Sequence, residues 1–286
     1  MNVLAKNKFT KTILFLLNVV IAMSFNCCQE SKSNNSVLKT KSILTKNKQA
    51  KMQVEIWSDV MCPFCYIGKR KFEAALAQFK HKENIEIVWK SYQLNPEMKT
   101  DPTKNSITAL AEHKGISLAE SEEMHQYVIE MASKVGLQYH MNKTISANSF
   151  NAHRLTHYAK SQGKQLEIEE KLFEAYFIAG KNIDDINTLI ALGESIGMAH
   201  DDLVKVLNSN DYSDDVRNDI YEAQQVGVRG VPFFVFDRKF AISGAQESNV
   251  FLTSLDKAFD EWKKNNPDTT LKVIDGKVCE PEKGCE

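Results

Sequence analysis

Residues 58–68 of the chain read SDVMCPFCYIG and carry two thiols, Cys62 and Cys65, three positions apart. The segment before them, residues 52–57, is rich in β-branched and aromatic residues and predicts a strand. After them, apolar residues recur at helical spacing: Phe72, Ala75, Leu76 and Phe79. Cys62 is therefore expected at the N-terminus of a helix, where unpaired N–H groups and the helix dipole stabilise a thiolate, the form that attacks disulfides.

Two other interpretations of this pair remain open. A Cys-x-x-Cys pair can form half of a structural zinc site, which needs a second pair of ligands. The late pair, Cys279 and Cys285, is separated by five residues in a polar tail and fits that role poorly. A structural disulfide would close only a tiny loop and contribute little stability. Redox chemistry is the favoured interpretation, and no metal is expected.

The composition is that of an ordinary globular protein. A length of 286 residues with 43% hydrophobic content allows one large domain or one domain with an insertion. The 36 basic and 37 acidic residues leave no excess positive charge to neutralise phosphates. Nucleic acid is therefore not an expected partner.

The N-terminal residues 1–28 are typical of a secretory signal peptide. Three lysines precede the apolar run of residues 13–23, which is too short to span a bilayer comfortably. Cys27 and Cys28 follow directly, where a bacterial lipoprotein carries its lipidated cysteine, although the preceding Ser-Phe-Asn lacks the usual small residues. The chain is predicted to be exported, either free in the periplasm or anchored to a membrane through this end.

The rest of the chain divides into five segments that differ in their sequence patterns. Residues 29–51 are rich in Lys, Ser and Asn and predict a flexible tether. The strand, helix and second strand of residues 52–100 predict a right-handed βαβ unit. Residues 101–212 show one helical pattern after another, with Ser149 expected to cap the helix of residues 150–160. Residues 213–264 return to helix, two strands and helix, and residues 265–286 form a polar tail.

Several separated motifs resemble one known family. The segments CPFC at 62–65 and GVPFFV at 230–235 resemble the DsbA-type branch of the thioredoxin superfamily. The segments LNP at 94–96, SFNAHRL at 149–155, LFEAYF at 172–177 and AISGAQ at 241–246 are similar to its FrnE-like subgroup. The resemblance implies an α/β, thioredoxin-like fold with a large α-helical insertion (DsbA-like). Residues 52–100 and 213–264 would then form the thioredoxin-like domain and residues 101–212 the inserted helical domain.

The resemblance also implies a substrate-binding region. Pro232 would be cis and face the cysteine pair, leaving the backbone of Val231 free to pair with an extended substrate. Phe64 stands where the best-known DsbA-type enzymes carry a histidine, which implies a milder oxidant suited to isomerisation. These enzymes often bury a carboxylate beneath the cysteines for proton transfer. Asp59 is the preferred candidate and Glu55 the second, since strand alternation turns Glu55 away from its apolar neighbours.

The predicted function is that of a thiol-disulfide oxidoreductase, acting as oxidase or isomerase on exported proteins. Cys62 exchanges disulfides with the substrate, Cys65 resolves the mixed disulfide, and a redox partner recycles the pair without a cofactor. A glutathione-dependent kappa-type transferase or isomerase is the alternative, although that type usually has serine in place of Cys62. A binding or chaperone module is a third class. The tail pair, Cys279 and Cys285, either clasps the C-terminus or serves as an auxiliary redox pair.

Overall fold

A computed structural model of the protein describes residues 50–267, 279–280 and 284–285. The predicted signal peptide, with Cys27 and Cys28, and nearly all of the predicted tether lie outside these residues. In the part of the chain that the structure describes, no helix is both long enough and apolar enough to cross a membrane.

A four-stranded mixed sheet forms the centre of the fold, with the strand order β2-β1-β3-β4. The central strand β1 pairs in parallel with β2 and antiparallel with β3, and β3 pairs antiparallel with β4. The parallel pair confirms the predicted βαβ unit, and the predicted strand of residues 52–57 is correct to one residue. The strands are β1 (Met52–Ser58), β2 (Ile85–Ser91), β3 (Phe233–Phe236) and β4 (Phe240–Ser243).

Helices cover both faces of the sheet. On one face lie α1 (Pro63–Gln78) and α9 (Ser248–Asn265), where the Phe72 ring is 5.5 Å from Phe234, the strand partner of Ile56. On the other face lies α8 (Ser213–Gln225), whose Asp219 carbonyl accepts a 3.0 Å hydrogen bond from Trp57 Nε1. Because side chains alternate along a strand, Ile56 faces α1 and Trp57 faces α8.

The remaining helices follow β2 and precede α8, in agreement with the predicted insertion. Within residues 101–212, the only strand pairing is an isolated bridge between Asp101 and Ser146. The helices are α2 (Ser106–Lys114), α3 (Leu118–Ser133), α4 (Phe150–Ser161), α5 (Gln165–Phe173), a π-helical turn (Glu174–Ile178), α6 (Ile186–Ser195) and α7 (His200–Leu207).

The predicted capping of α4 by Ser149 is wrong. Ser149 precedes the helix, but its backbone is already helical (φ −80°, ψ −1°) and its side chain makes no capping hydrogen bond. A capping residue usually has an extended backbone, which turns its side chain toward the free N–H groups. Asn148 takes over part of this role, because its Oδ1 accepts a 2.9 Å hydrogen bond from the N–H of Phe150.

The tail contains two short antiparallel strands, β5 (Cys279–Glu280) and β6 (Gly284–Cys285). Their register sets Cys279 directly opposite Cys285. Opposed residues in such a pair have Cα atoms about 4.5–5.5 Å apart, a distance that a disulfide can span. The backbone therefore suits the local disulfide that the sequence suggests, and the bond itself stays a prediction.

Arg154 of α4 holds the end of α7 within the insertion. Its buried guanidinium donates 2.6 Å hydrogen bonds to the carbonyls of Val206 and Ser209, and its Nε donates a 2.9 Å bond to the carbonyl of Asp211. The last carbonyls of a helix have no partner within the helix. The planar guanidinium of Arg154 donates several hydrogen bonds to carbonyls at and just beyond the end of α7.

We expect Arg154→Lys to lower the free energy of unfolding by about 2 kcal/mol, because an ammonium cannot reproduce the planar fork that donates to several carbonyls at once. Urea unfolding followed by circular dichroism measures the change. Arg217→Lys is the matched control, since exposed Arg217 donates to the side chain of Asp214 on its own helix and otherwise lies over the Phe150 ring. Equal losses in the two variants would contradict this role of Arg154.

Candidate active site

The loop between β1 and α1 carries the two cysteines in a tightly bonded turn. Cys62 precedes α1 with an extended backbone, and Pro63 takes the first helical position, where the missing N–H costs nothing. The N–H of Cys62 donates to the carbonyl of Asp59 at 2.9 Å, and the N–H of Cys65 donates to the carbonyl of Cys62 at 3.0 Å. Cys62 therefore stands at the helix N-terminus, as the sequence predicts.

The two free thiols have different surroundings. Cys62 is 4% exposed, and its Sγ lies 3.4 Å from the carbonyl oxygen of Val231, whereas Cys65 is completely buried. Burial raises the pKa of the Cys65 thiol well above its usual value, and the neighbouring Cys62 raises it further. The Ser58 hydroxyl and the Asp59 backbone act in the opposite direction. Cys65 is thus protonated near neutral pH and shielded, and Cys62 is the sulfur nearer the surface.

The segment opposite the cysteines has the predicted cis bond between Val231 and Pro232. The carbonyl of Pro232 accepts a 2.8 Å hydrogen bond from the N–H of Gly244, which ties it to the end of β4. A Cβ at Gly68 of α1 would lie only 2.9 Å from Pro232 Cγ. Gly68 therefore allows the first turns of α1 to pack directly against Pro232.

Asp59 lies at the centre of the turn and is buried. Its carboxylate accepts hydrogen bonds from the N–H groups of Met61, at 3.2 Å, and Leu94, at 2.8 Å. Nε2 of the buried His153, on α4, is 3.7 Å from Asp59 Oδ1 and has no hydrogen-bond partner among the described residues. The Asp59 carboxylate thus holds Met61, the residue before Cys62, close to the segment that follows β2.

Asp59, His153 and Glu169 form a buried acid-base cluster. Glu169 of α5 is buried, and burial raises its pKa to about 7 even though His153 and Thr156 act to lower it. Burial acts to lower the pKa of His153, but Asp59, Glu169 and the carbonyl of Tyr92 together raise it. The two carboxyl groups thus favour the charged form of His153. In the sequence His153 stands in the SFNAHRL motif and four residues before His157, and neither signal assigned it to this site.

Glu55, the second carboxylate candidate, does not face the cysteines. It shares a strand face with Trp57, on the α8 side, where it forms an ion pair with Arg238. Burial raises the pKa of Glu55, partly offset by that guanidinium. Because side chains alternate along a strand, Glu55 and the thiols lie on opposite faces of the sheet.

A second polar group, missed by sequence analysis, supports the other side of α1. Glu170 of α5 accepts a 2.5 Å hydrogen bond from the Tyr66 hydroxyl and forms ion pairs with Lys69 and Arg70. The Tyr139 hydroxyl donates a 2.8 Å hydrogen bond to the carbonyl of Pro63, between the two cysteines. The inserted segment therefore contacts the redox motif through Tyr139 and the following part of α1 through Glu170.

A sequence model of the family described as DSBA-like thioredoxin domain matches residues 53–256. The chain belongs to this family. The match covers both parts of the sheet and the helical insertion between them. The predicted DsbA-like fold and family are confirmed, and the FrnE-like subgroup stays a prediction.

Three individual proteins are similar to this chain over nearly their whole length. The crystal structure of a probable DsbA oxidoreductase from Streptomyces coelicolor has 34% identity and a TM-score of 0.69, covering 82% of this chain and 98% of that chain. The Bacillus subtilis protein YwbO, described as uncharacterized, is 28% identical over 219 residues, which are 74% of this chain and 98% of YwbO. DsbM of Pseudomonas aeruginosa, a cytosolic disulfide reductase, shares the fold at 13% identity and a TM-score of 0.50, with coverage of 74% and 98%. The DSBA-like family indicates a thiol redox enzyme in general.

Glu169 and Glu170 are neighbours whose pKa values shift in opposite directions. The folded protein retains a proton on Glu169 up to pH about 7, which the unfolded chain releases near its ordinary pKa of 4.5. Glu169 therefore lowers the free energy of unfolding as pH rises through that window. Burial acts to raise the pKa of Glu170, but Arg70, Lys69 and Tyr66 bring it to about 2. Its interactions stabilise the fold above pH 4.5, and that stability is lost as pH falls toward 2.

We expect Glu169→Gln to raise the free energy of unfolding at pH 8, by up to about 3 kcal/mol, and to have much less effect at pH 5. The neutral amide removes the charge that burial disfavours. Glu170→Gln is the matched control and should destabilise the protein at pH 8. Urea unfolding of both variants at both pH values provides the measurement, and a Glu169→Gln effect that is independent of pH would contradict the assignment.

Proposed function

We propose that this protein is a thiol-disulfide oxidoreductase that exchanges disulfides with exported proteins through Cys62 and Cys65. The observation that carries the proposal is the asymmetry of the two sulfurs at one helix terminus. Cys62 lies at the N-terminus of α1 and faces the Val231 carbonyl, while Cys65 is fully buried one turn further on. A sulfur at the helix N-terminus with a completely buried partner in the next turn suits sequential thiol-disulfide exchange.

The oxidative reaction uses the enzyme in its disulfide form. A substrate thiolate attacks Cys62 Sγ, the Cys62–Cys65 bond breaks, and Cys65 leaves as a thiolate. A second substrate thiolate then attacks the substrate sulfur of the mixed disulfide and releases Cys62 as a thiolate at the helix N-terminus, where N–H groups and the dipole stabilise it. Isomerisation starts instead from the reduced enzyme, with Cys62 attacking an incorrect substrate disulfide.

Extended segments with apolar side chains are the proposed substrates. Among the described residues the backbone N–H of Val231 has no hydrogen-bond partner, which leaves it available to an extended peptide. Phe64 in the redox motif is 36% exposed, and Leu94, bound through its N–H to Asp59, is 54% exposed. These two apolar side chains flank the turn that carries Cys62.

The two cysteines should behave differently when replaced. Cys62→Ser is expected to abolish reduction of insulin in the presence of dithiothreitol, because the remaining thiol of the motif, Cys65, is buried and protonated. Cys65→Ser should still react but accumulate mixed disulfides with its substrates, detectable by non-reducing electrophoresis and mass spectrometry. Normal turnover by Cys65→Ser would contradict these roles.

Two further assays separate the alternatives. A kappa-type enzyme would conjugate or use glutathione, and such activity without insulin reduction would favour that class. Inactive wild-type protein in both assays would favour a binding module with a structural disulfide. The Cys279→Ser/Cys285→Ser double variant serves as the control for thiols outside the motif.

We also propose that the protein is exported. This location rests on the order of charged and apolar residues in residues 1–28. Fractionation of bacterial cells expressing the full chain is expected to recover it from the periplasm or the membrane fraction. Recovery of the full-length chain from the soluble cytoplasm would overturn export and, with it, exported proteins as substrates.

A further inference from the structure

Ser58, the last residue of β1, carries a buried hydroxyl without a partner. Its backbone carbonyl accepts a 2.9 Å hydrogen bond from the N–H of Tyr92, so the residue is held firmly in the sheet. Its Oγ is buried and has no hydrogen-bond partner among the described residues. Its register partner Ser91 is equally buried, but the Ser91 hydroxyl lies 3.1 Å from His157 Nε2. An unpaired buried hydroxyl costs stability and calls for an explanation.

The Ser58 side chain lies on the α1 face of the sheet. Side chains two positions apart in a strand share a face, so Ser58 points to the same side as Ile56, where α1 packs. The completely buried Cys65 lies in the first turn of that helix. The Ser58 hydroxyl is close enough to Cys65 to lower its pKa, against the larger effect of burial.

We propose that the Ser58 hydroxyl donates a hydrogen bond to Cys65 Sγ when that sulfur is a thiolate, and so accelerates each exchange step in which the Cys62–Cys65 bond breaks or forms. The inference deepens the proposed function, on which its biological meaning rests.

The step balances without another reactant. An attacking thiolate forms a bond to Cys62 Sγ, and the electron pair of the Cys62–Cys65 bond passes to Cys65 Sγ. Ser58 donates its hydrogen bond to that developing charge and keeps its own proton. The Cys65 thiolate then takes a proton from water. In the reverse direction the Cys65 thiol first loses its proton to water, and its thiolate attacks Cys62.

Cys65 is a poor hydrogen-bond acceptor for the Ser58 hydroxyl both before the exchange step, as a disulfide, and after it, as a thiol. A thiol or a disulfide sulfur is a weak acceptor, whereas a thiolate is a charged one. The hydrogen bond is therefore strong only while charge develops on Cys65, which lowers the barrier without favouring either end state. Removal of the hydroxyl should slow both directions equally and leave the equilibrium constant unchanged.

The test measures reduction of the Cys62–Cys65 disulfide by dithiothreitol in the full-length chain. Samples are quenched with acid and alkylated, and the peptide that carries both cysteines is quantified by mass spectrometry. We expect Ser58→Ala to slow reduction about 10-fold or more, the usual scale of a hydrogen bond to a charged group. Its equilibrium constant with dithiothreitol should match that of the wild type.

Ser91→Ala is the matched control, because it removes an equally buried hydroxyl from the neighbouring strand. Its reduction rate should equal that of the wild type. The isosteric pair Ser58→Thr and Ser58→Val separates hydroxyl from packing, with the faster rate expected for threonine, and decides the matter if the alanine variant does not fold.

A rate for Ser58→Ala within twofold of the wild type, or an equal loss in Ser91→Ala, would overturn the inference. Failure of the wild type to reduce insulin would count against the proposed function alone, because dithiothreitol reports on the cysteine pair without a protein substrate.

Discussion

The carboxylate of Asp59 is the constraint on which the geometry of the site depends. It accepts N–H groups from Met61 and Leu94, so one buried side chain joins the end of β1, the residue before Cys62 and the segment that leaves β2. Hydrogen bonds to a charged acceptor are roughly twice as strong as neutral ones. The buried imidazole of His153, from the insertion, lies 3.7 Å from this carboxylate, and Asp59 acts to raise the pKa of His153. Asp59 is therefore one group at which the sheet and the inserted helices meet.

The sequence predicted those parts of the structure that local patterns encode. Strand and helix periodicity identified the sheet, and two thiols before a helical stripe located Cys62 at a helix N-terminus. The resemblance supplied the cis bond before Pro232, which a single sequence does not encode. Ser149 failed as a cap because its backbone continues the helix, a property that its residue type does not reveal.

His153, Glu169 and Glu170 could not be assigned to the site in this way. They lie on helices of the insertion, and contacts such as that between Tyr66 and Glu170 join residues 104 positions apart. A histidine or glutamate within a helical pattern is ordinarily a surface residue, and only tertiary packing buries it. Glu55 and Ser58 show the same limit on a smaller scale. Both lie on β1, but because side chains alternate along a strand, Ser58 faces α1 and the cysteines, whereas Glu55, three positions earlier, faces α8.

The contact between Cys62 and Val231 joins residues 169 positions apart, which bears on how the site arises during synthesis. A nascent chain that has reached residue 212 already contains both thiols and all the inserted helices. It still lacks β3, so β1 has an open edge, and no Val231 carbonyl faces Cys62. Until the last strands are made, Cys62 lacks the backbone segment that faces it in the folded protein.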